Sequence, residues 1–107
     1  MNKNLRIVLA SAAVVVLAGA MSFAQSSGEA TYKAKCASCH GAAGTPNPAM
    51  AKAMGIKPAS DPAVKAKTEA QMIDTTKKGE GKMPAYAAKL SDAEIKGAVD
   101  YFRTFAK

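Results

Sequence analysis

Cys36 and Cys39 stand three residues apart, and the residue that follows them, His40, is the only histidine in the chain. On a helical turn, side chains three apart project from one side, and the next residue comes round within the same turn. The segment Cys36-Ala37-Ser38-Cys39-His40 therefore gathers two thiols and an imidazole at one spot, and the fold has to give them a use. A disulfide would close a very small loop and leave His40 without a role. A thioredoxin-like redox pair needs a strand-helix-strand setting, yet no run of alternating β-branched residues occurs after residue 24. A structural zinc wants four ligands; with no further Cys or His in the sequence, only carboxylates remain to complete the set.

The length of the chain sharpens the question. Lys3 and Arg6 precede an apolar run from Ile7 to Ala20, and Ser22-Phe23-Ala24 puts small residues where a signal peptidase reads. That is the layout of a secretory signal, so residues 1–24 are expected to be cleaved and residues 25–107 to form one domain. The competing expectation is an uncleaved membrane anchor, since Ile7 to Ala24 approaches the roughly 20 residues of a spanning helix. What remains after residue 24 has no Trp, and its aromatics are Tyr32, Tyr86, Tyr101, Phe102 and Phe105. A domain this small buries little apolar surface and usually needs a disulfide, a metal or a cofactor to complete it.

A haem meets both requirements. Two thiols add across the vinyl groups at one porphyrin edge, and the imidazole reaches the iron from the same turn. The CxxCH pattern is the attachment signature of c-type haem. A carrier of electrons needs a second axial ligand, and without a second His a methionine is the natural choice; Met opposite His raises the reduction potential. Met50, Met54, Met72 and Met83 come after residue 40. Met72 falls on the apolar face of a predicted helix and reads as packing. Met50 and Met54 follow the motif too closely for the chain to pass round the porphyrin edge. Met83 lies in the irregular segment Gly79-Glu80-Gly81-Lys82-Met83-Pro84, where glycines permit close approach and proline stiffens the backbone on its far side. Met83 is thus the preferred ligand, with a five-coordinate iron and Met83 merely nearby as the alternative.

Helix signals dominate the rest. Ser26 with Glu29, Thr68 with Gln71 and Ser91 with Glu94 have capping-box spacing. They predict helices from about Ser27 to Cys36, from Thr68 to Lys78, and from Ser91 onward. In the last of these, Ile95, Ala98, Val99 and Phe102 form a buried stripe. A short helix is expected over Met50 to Met54, closed by Gly55, and another after Ser60-Asp61-Pro62. Gly44 to Pro48 and Glu80 to Leu90 read as loops. The expected fold is all-α, four to five short helices. The full sequence has 15 Lys and Arg against 8 Asp and Glu, a net charge of +7. Without Lys3 and Arg6 the balance is +5, which suits either a solvated surface or an acidic partner. No aromatic-basic module for nucleic acid is visible.

The residues CASCHG at Cys36 to Gly41, KMPAY at Lys82 to Tyr86, and LSDAEIKGAVDYFRT at Leu90 to Thr104 carry a resemblance. Over residues 27–107 the chain resembles the class I c-type cytochromes, particularly small monohaem bacterial members and the cytochrome subunits of bacterial oxidases. The resemblance implies a cytochrome c fold wrapped around one haem c, with thioether bonds at Cys36 and Cys39, His40 as proximal ligand and Met83 as distal ligand. It implies that the first and last helices cross, with Gly28 and Tyr32 meeting the face that bears Tyr101. It also implies a proline carbonyl, Pro46 or Pro48, accepting the second N–H of His40. The expected function is that of a soluble, monomeric, periplasmic one-electron carrier rather than an enzyme. Its redox partners are expected to meet Lys33, Lys35, Lys77, Lys78, Lys82 and Lys89 with acidic surfaces. The alternatives are an open iron site that binds gas or peroxide, and a docked subunit of a larger oxidoreductase. A membrane enters only if the first segment is retained.

Overall fold

A computed structural model describes residues 27–106. The segment expected to be a signal, and Ser26 of the first expected capping box, lie outside the described residues. Among the described residues six helical segments run in order: α1 (27–35), α2 (Ala37–His40), α3 (Pro48–Met54), α4 (Pro62–Lys65), α5 (Glu69–Lys78) and α6 (Asp92–Arg103). Among the described residues there is no strand, only one isolated bridge between Glu80 and Met83. The all-α expectation holds. The sixth segment arises at Cys36, whose φ of −113° breaks the regular geometry and separates the CxxCH turn from α1.

Side chains set the helix starts. Thr68 and Ser91 each form a complete capping box, with Gln71 and Glu94 respectively returning the bond to the cap amide. Asp61 Oδ1 accepts from the Ala63 amide at 2.8 Å, ahead of Pro62 in the first helical position. Each such cap contributes about 1 kcal/mol. One boundary differs from expectation. Helix α3 begins at Pro48 rather than Met50, because Asn47 caps it through the Met50 amide at 2.7 Å. Proline in the first helical position lacks only an amide that would have been unpaired anyway.

The ends of the chain meet. A Cβ on Gly28 would strike the carbonyl of Gly97, and one on Gly97 would stand 3.0 Å from Gly28 Cα, so α1 and α6 touch backbone to backbone. Tyr32, one turn further along α1, is 1% exposed, with its ring centroid 5.3 Å from that of Tyr101 and 6.1 Å from that of Phe102. Ile95, Ala98 and Val99 of α6 and Ala59 of the α3–α4 connection complete the buried apolar core. Helix α5 packs against α6. Ion pairs run between them, from Glu69 to Lys96 at 3.6 Å and to Arg103 at 3.8 Å.

Candidate haem-binding site

The CxxCH turn is fixed from behind by the aromatic core. Tyr32 donates its hydroxyl to the Gly41 carbonyl at 2.6 Å, tying the residue after His40 to the middle of α1. Burial is the main reason that hydroxyl is pushed up to about 12, so it stays a donor. The ring of His40 meets Phe102 of α6 edge-on, with centroids 5.3 Å apart. Cys36, Cys39 and His40 are all half-buried, and both thiols are free. Burial, with a smaller contribution from Cys39, pushes the Cys36 thiol up to about 11. Reactive redox cysteines have lowered values, so Cys36 lacks the character of a thioredoxin-like nucleophile.

Burial moves His40 the other way and holds its pKa below the usual imidazole range, which favours the neutral, metal-binding form. Its Nδ1 is buried without a hydrogen-bond partner. Neither Pro46 nor Pro48 supplies the expected carbonyl; Pro48 opens α3, where its carbonyl belongs to the helix's own ladder. Among the described residues no group of three or more His, Cys, Asp or Glu could hold a bare metal ion. Two free thiols and a neutral imidazole on one turn fit a haem; they do not complete a zinc site.

Met83 sits on a four-residue turn. The Glu80 amide donates to the Met83 carbonyl at 3.1 Å, and the Met83 amide returns the bond at 2.9 Å. Gly81, inside the turn, has φ 57°, and Gly79, before it, has φ 78° with extended ψ. A Cβ on Gly79 would come within 2.8 Å of the Met83 carbonyl and 2.9 Å of the Ala85 amide nitrogen, so the turn closes only over glycine. The loop is brought to the CxxCH segment by Tyr86, whose hydroxyl donates to the Lys35 carbonyl at 3.3 Å. Burial raises the Tyr86 hydroxyl, and its nearness to the two cysteines adds to the rise. Met50 and Met54 are half-buried on α3. Met72 is half-buried rather than in the core, and lines a groove of about 460 Å³ with Lys65, Asp100, Arg103 and Thr104; none of the four expected site residues lines that groove.

Of the lysines expected to steer a partner, three form ion pairs within the chain. Lys33 pairs with Glu29 at 2.7 Å, Lys77 with Asp92 at 3.0 Å and Lys78 with Asp74 at 3.0 Å. Lys82 donates to the Ala53 carbonyl at 2.6 Å, and the Lys89 ammonium lies 5.8 Å from the Tyr86 ring centre. Sequence reasoning did not single out Gly97 or the Lys82 bond. A glycine inside a helix costs about 1 kcal/mol against Ala, so Gly97 did carry a signal of close approach.

These features agree with what the chain is similar to. The family model described as Cytochrome C oxidase, cbb3-type, subunit III matches residues 23–102. The chain belongs to the class I c-type cytochromes and is an electron carrier whose cofactor is haem c. It is 34% identical to cytochrome c-555 of Chlorobaculum tepidum over 109 residues, covering 94% of each protein. The solved KustC0563 c-type cytochrome has 27% identity and a TM-score of 0.67, over 75% of this chain and 98% of that one. Proteins of this family work with redox partner proteins and are typically exported. No described helix is long and apolar enough to cross a membrane.

Proposed function

We propose that the chain binds one haem through thioether bonds at Cys36 and Cys39, with His40 and Met83 as axial ligands, and carries single electrons between redox complexes in the periplasm. The observation that carries this reading is the Met83 turn, in which two reciprocal backbone bonds and two positive-φ glycines fix one methionine. A methionine that merely filled space would need no such fixing. When bound, haem supplies the couple between ferric and ferrous iron. His40 offers an imidazole nitrogen held in orientation by Phe102, and Tyr32 fixes the backbone beside it. Met83 offers a neutral thioether on a braced turn, so neither ligand needs to move far as charge changes.

In this reading residues 1–24 are a cleaved signal, residues 25–107 are a monohaem domain, and the carrier is a monomer without enzymatic activity of its own. Lys35 and Lys89 have no ion pair among the described residues and flank the CxxCH segment and the Met83 loop, which supports docking by an acidic partner. Electron exchange with a purified partner then slows as ionic strength rises.

Spectra of the oxidised and reduced periplasmic protein, with a pyridine haemochrome assay, test haem type and attachment together. Met83→Ala is expected to abolish the sulfur-to-ferric-iron charge-transfer band; an unchanged band removes Met83 as ligand. Mass spectrometry beginning at Gln25 supports cleavage, and an intact Met1 refutes it. A second reading comes from the matched family's description as an oxidase subunit: the chain docks permanently in a larger complex. Co-purification with membrane proteins after detergent extraction distinguishes it from a diffusing carrier.

A further inference from the structure

From the way the loop over 79–90 is fastened, we infer that Lys82 and Tyr86 are positioning residues that hold Met83 in place from two sides. The inference rests on Met83 being a ligand. Lys82, directly before Met83, donates its ammonium to the Ala53 carbonyl in the last turn of α3, 29 residues away in sequence. A cation at that end of a helix meets an otherwise unpaired carbonyl. Tyr86, three residues after Met83, donates its hydroxyl to the Lys35 carbonyl next to Cys36, 51 residues away. The backbone of Tyr86 is itself fixed, its amide donating to the Thr76 carbonyl of α5 at 2.9 Å. The reciprocal Glu80–Met83 bonds shape the turn but do not tether it to anything else. The side chains of Lys82 and Tyr86 tether it to α3 and to the end of α1.

Both bonds are exposed, so they add little to global stability. Their effect falls on how often Met83 leaves its position. This also separates Lys82 from the docking lysines, because its ammonium is committed to Ala53.

The test uses the haem-loaded protein and imidazole, which binds ferric iron only when Met83 has left it. Lys82→Leu keeps an apolar stem and removes the donor; Tyr86→Phe keeps the ring and removes the hydroxyl. Each is expected to raise the imidazole binding rate about fivefold, the factor that corresponds to one hydrogen bond, and Lys82→Arg to restore most of it. Urea midpoints should stay near that of the wild type. Unaltered imidazole rates in both variants, or rates that rise only in step with a falling urea midpoint, overturn the inference. A wild-type ferric protein lacking the sulfur-to-iron band overturns the Met83 reading itself, whereas a normal band with unaltered rates overturns the tethers alone.

Discussion

The two sides of the haem-binding region are built differently. His40 and the two cysteines rest on a packed wall: Tyr32 is buried, Gly28 and Gly97 touch, and Phe102 meets the imidazole edge. Met83 rests on a loop in which no residue from 79 to 90 is fully buried, held by two glycine conformations and a few identifiable hydrogen bonds. Packing makes a wall that yields only with the whole fold, because interiors are dense and collective. Hydrogen bonds on a surface loop open locally, at a free energy well below that of global unfolding. On that reasoning the CxxCH wall is expected to outlast the Met83 loop, which is expected to open first.

Variants on each side should break different things. Gly97→Val would force α1 away from α6, and is expected to cost about 3 kcal/mol of global stability, read from urea unfolding. A variant as stable as wild type would show that the helices do not touch. Gly79→Ala requires a non-glycine residue at φ 78° and crowds the Met83 carbonyl. About 2 kcal/mol is expected, concentrated in weakening of the sulfur-to-iron band at urea concentrations where helicity by circular dichroism is still complete. Simultaneous loss of both signals would refute the distinction between the two sides.

Tyr32→Phe keeps the ring and removes the bond to Gly41; about 1 kcal/mol of global stability should be lost, with the band intact. The smallest effect is expected at Glu94, in the α6 capping box. Its carboxyl lies below the usual range because it accepts from the Ser91 amide, and its side-chain bond to Ser91 acts in the same direction. A depressed folded pKa contributes stability that is present above the unfolded value near 4.5 and is lost as pH falls through the folded value. Glu94→Gln removes that titration, so the acid limb of the stability curve below about pH 4.5 should flatten slightly; an identical limb would exclude the contribution.

Local features of the fold are legible in the sequence because local chemistry sets them. The boxes at Thr68 and Ser91, the stripe through Ile95, Ala98 and Val99, and the CxxCH turn are all encoded within a few residues; Phe102, expected in the same stripe, is only half-buried, with its ring against His40. The start of α3 is harder to read because Pro46, Asn47 and Pro48 carry loop signals and a cap signal at once, and the Asn47 side chain decides the matter. The bonds from Lys82 and Tyr86 span 29 and 51 residues and leave no trace in spacing. A partner for His40 Nδ1 is expected from resemblance alone, and neither proline fills that role.

The contact between Gly28 and Gly97 joins positions 69 apart, so it turns a string of short helices into a closed ring. Closing a longer ring costs only slightly more entropy than closing a shorter one, because the penalty grows with the logarithm of its length. The CxxCH turn and the Met83 loop both lie within that perimeter. One seam of bare backbone, made where neither residue has a side chain, sets the circumference within which every other segment must fit.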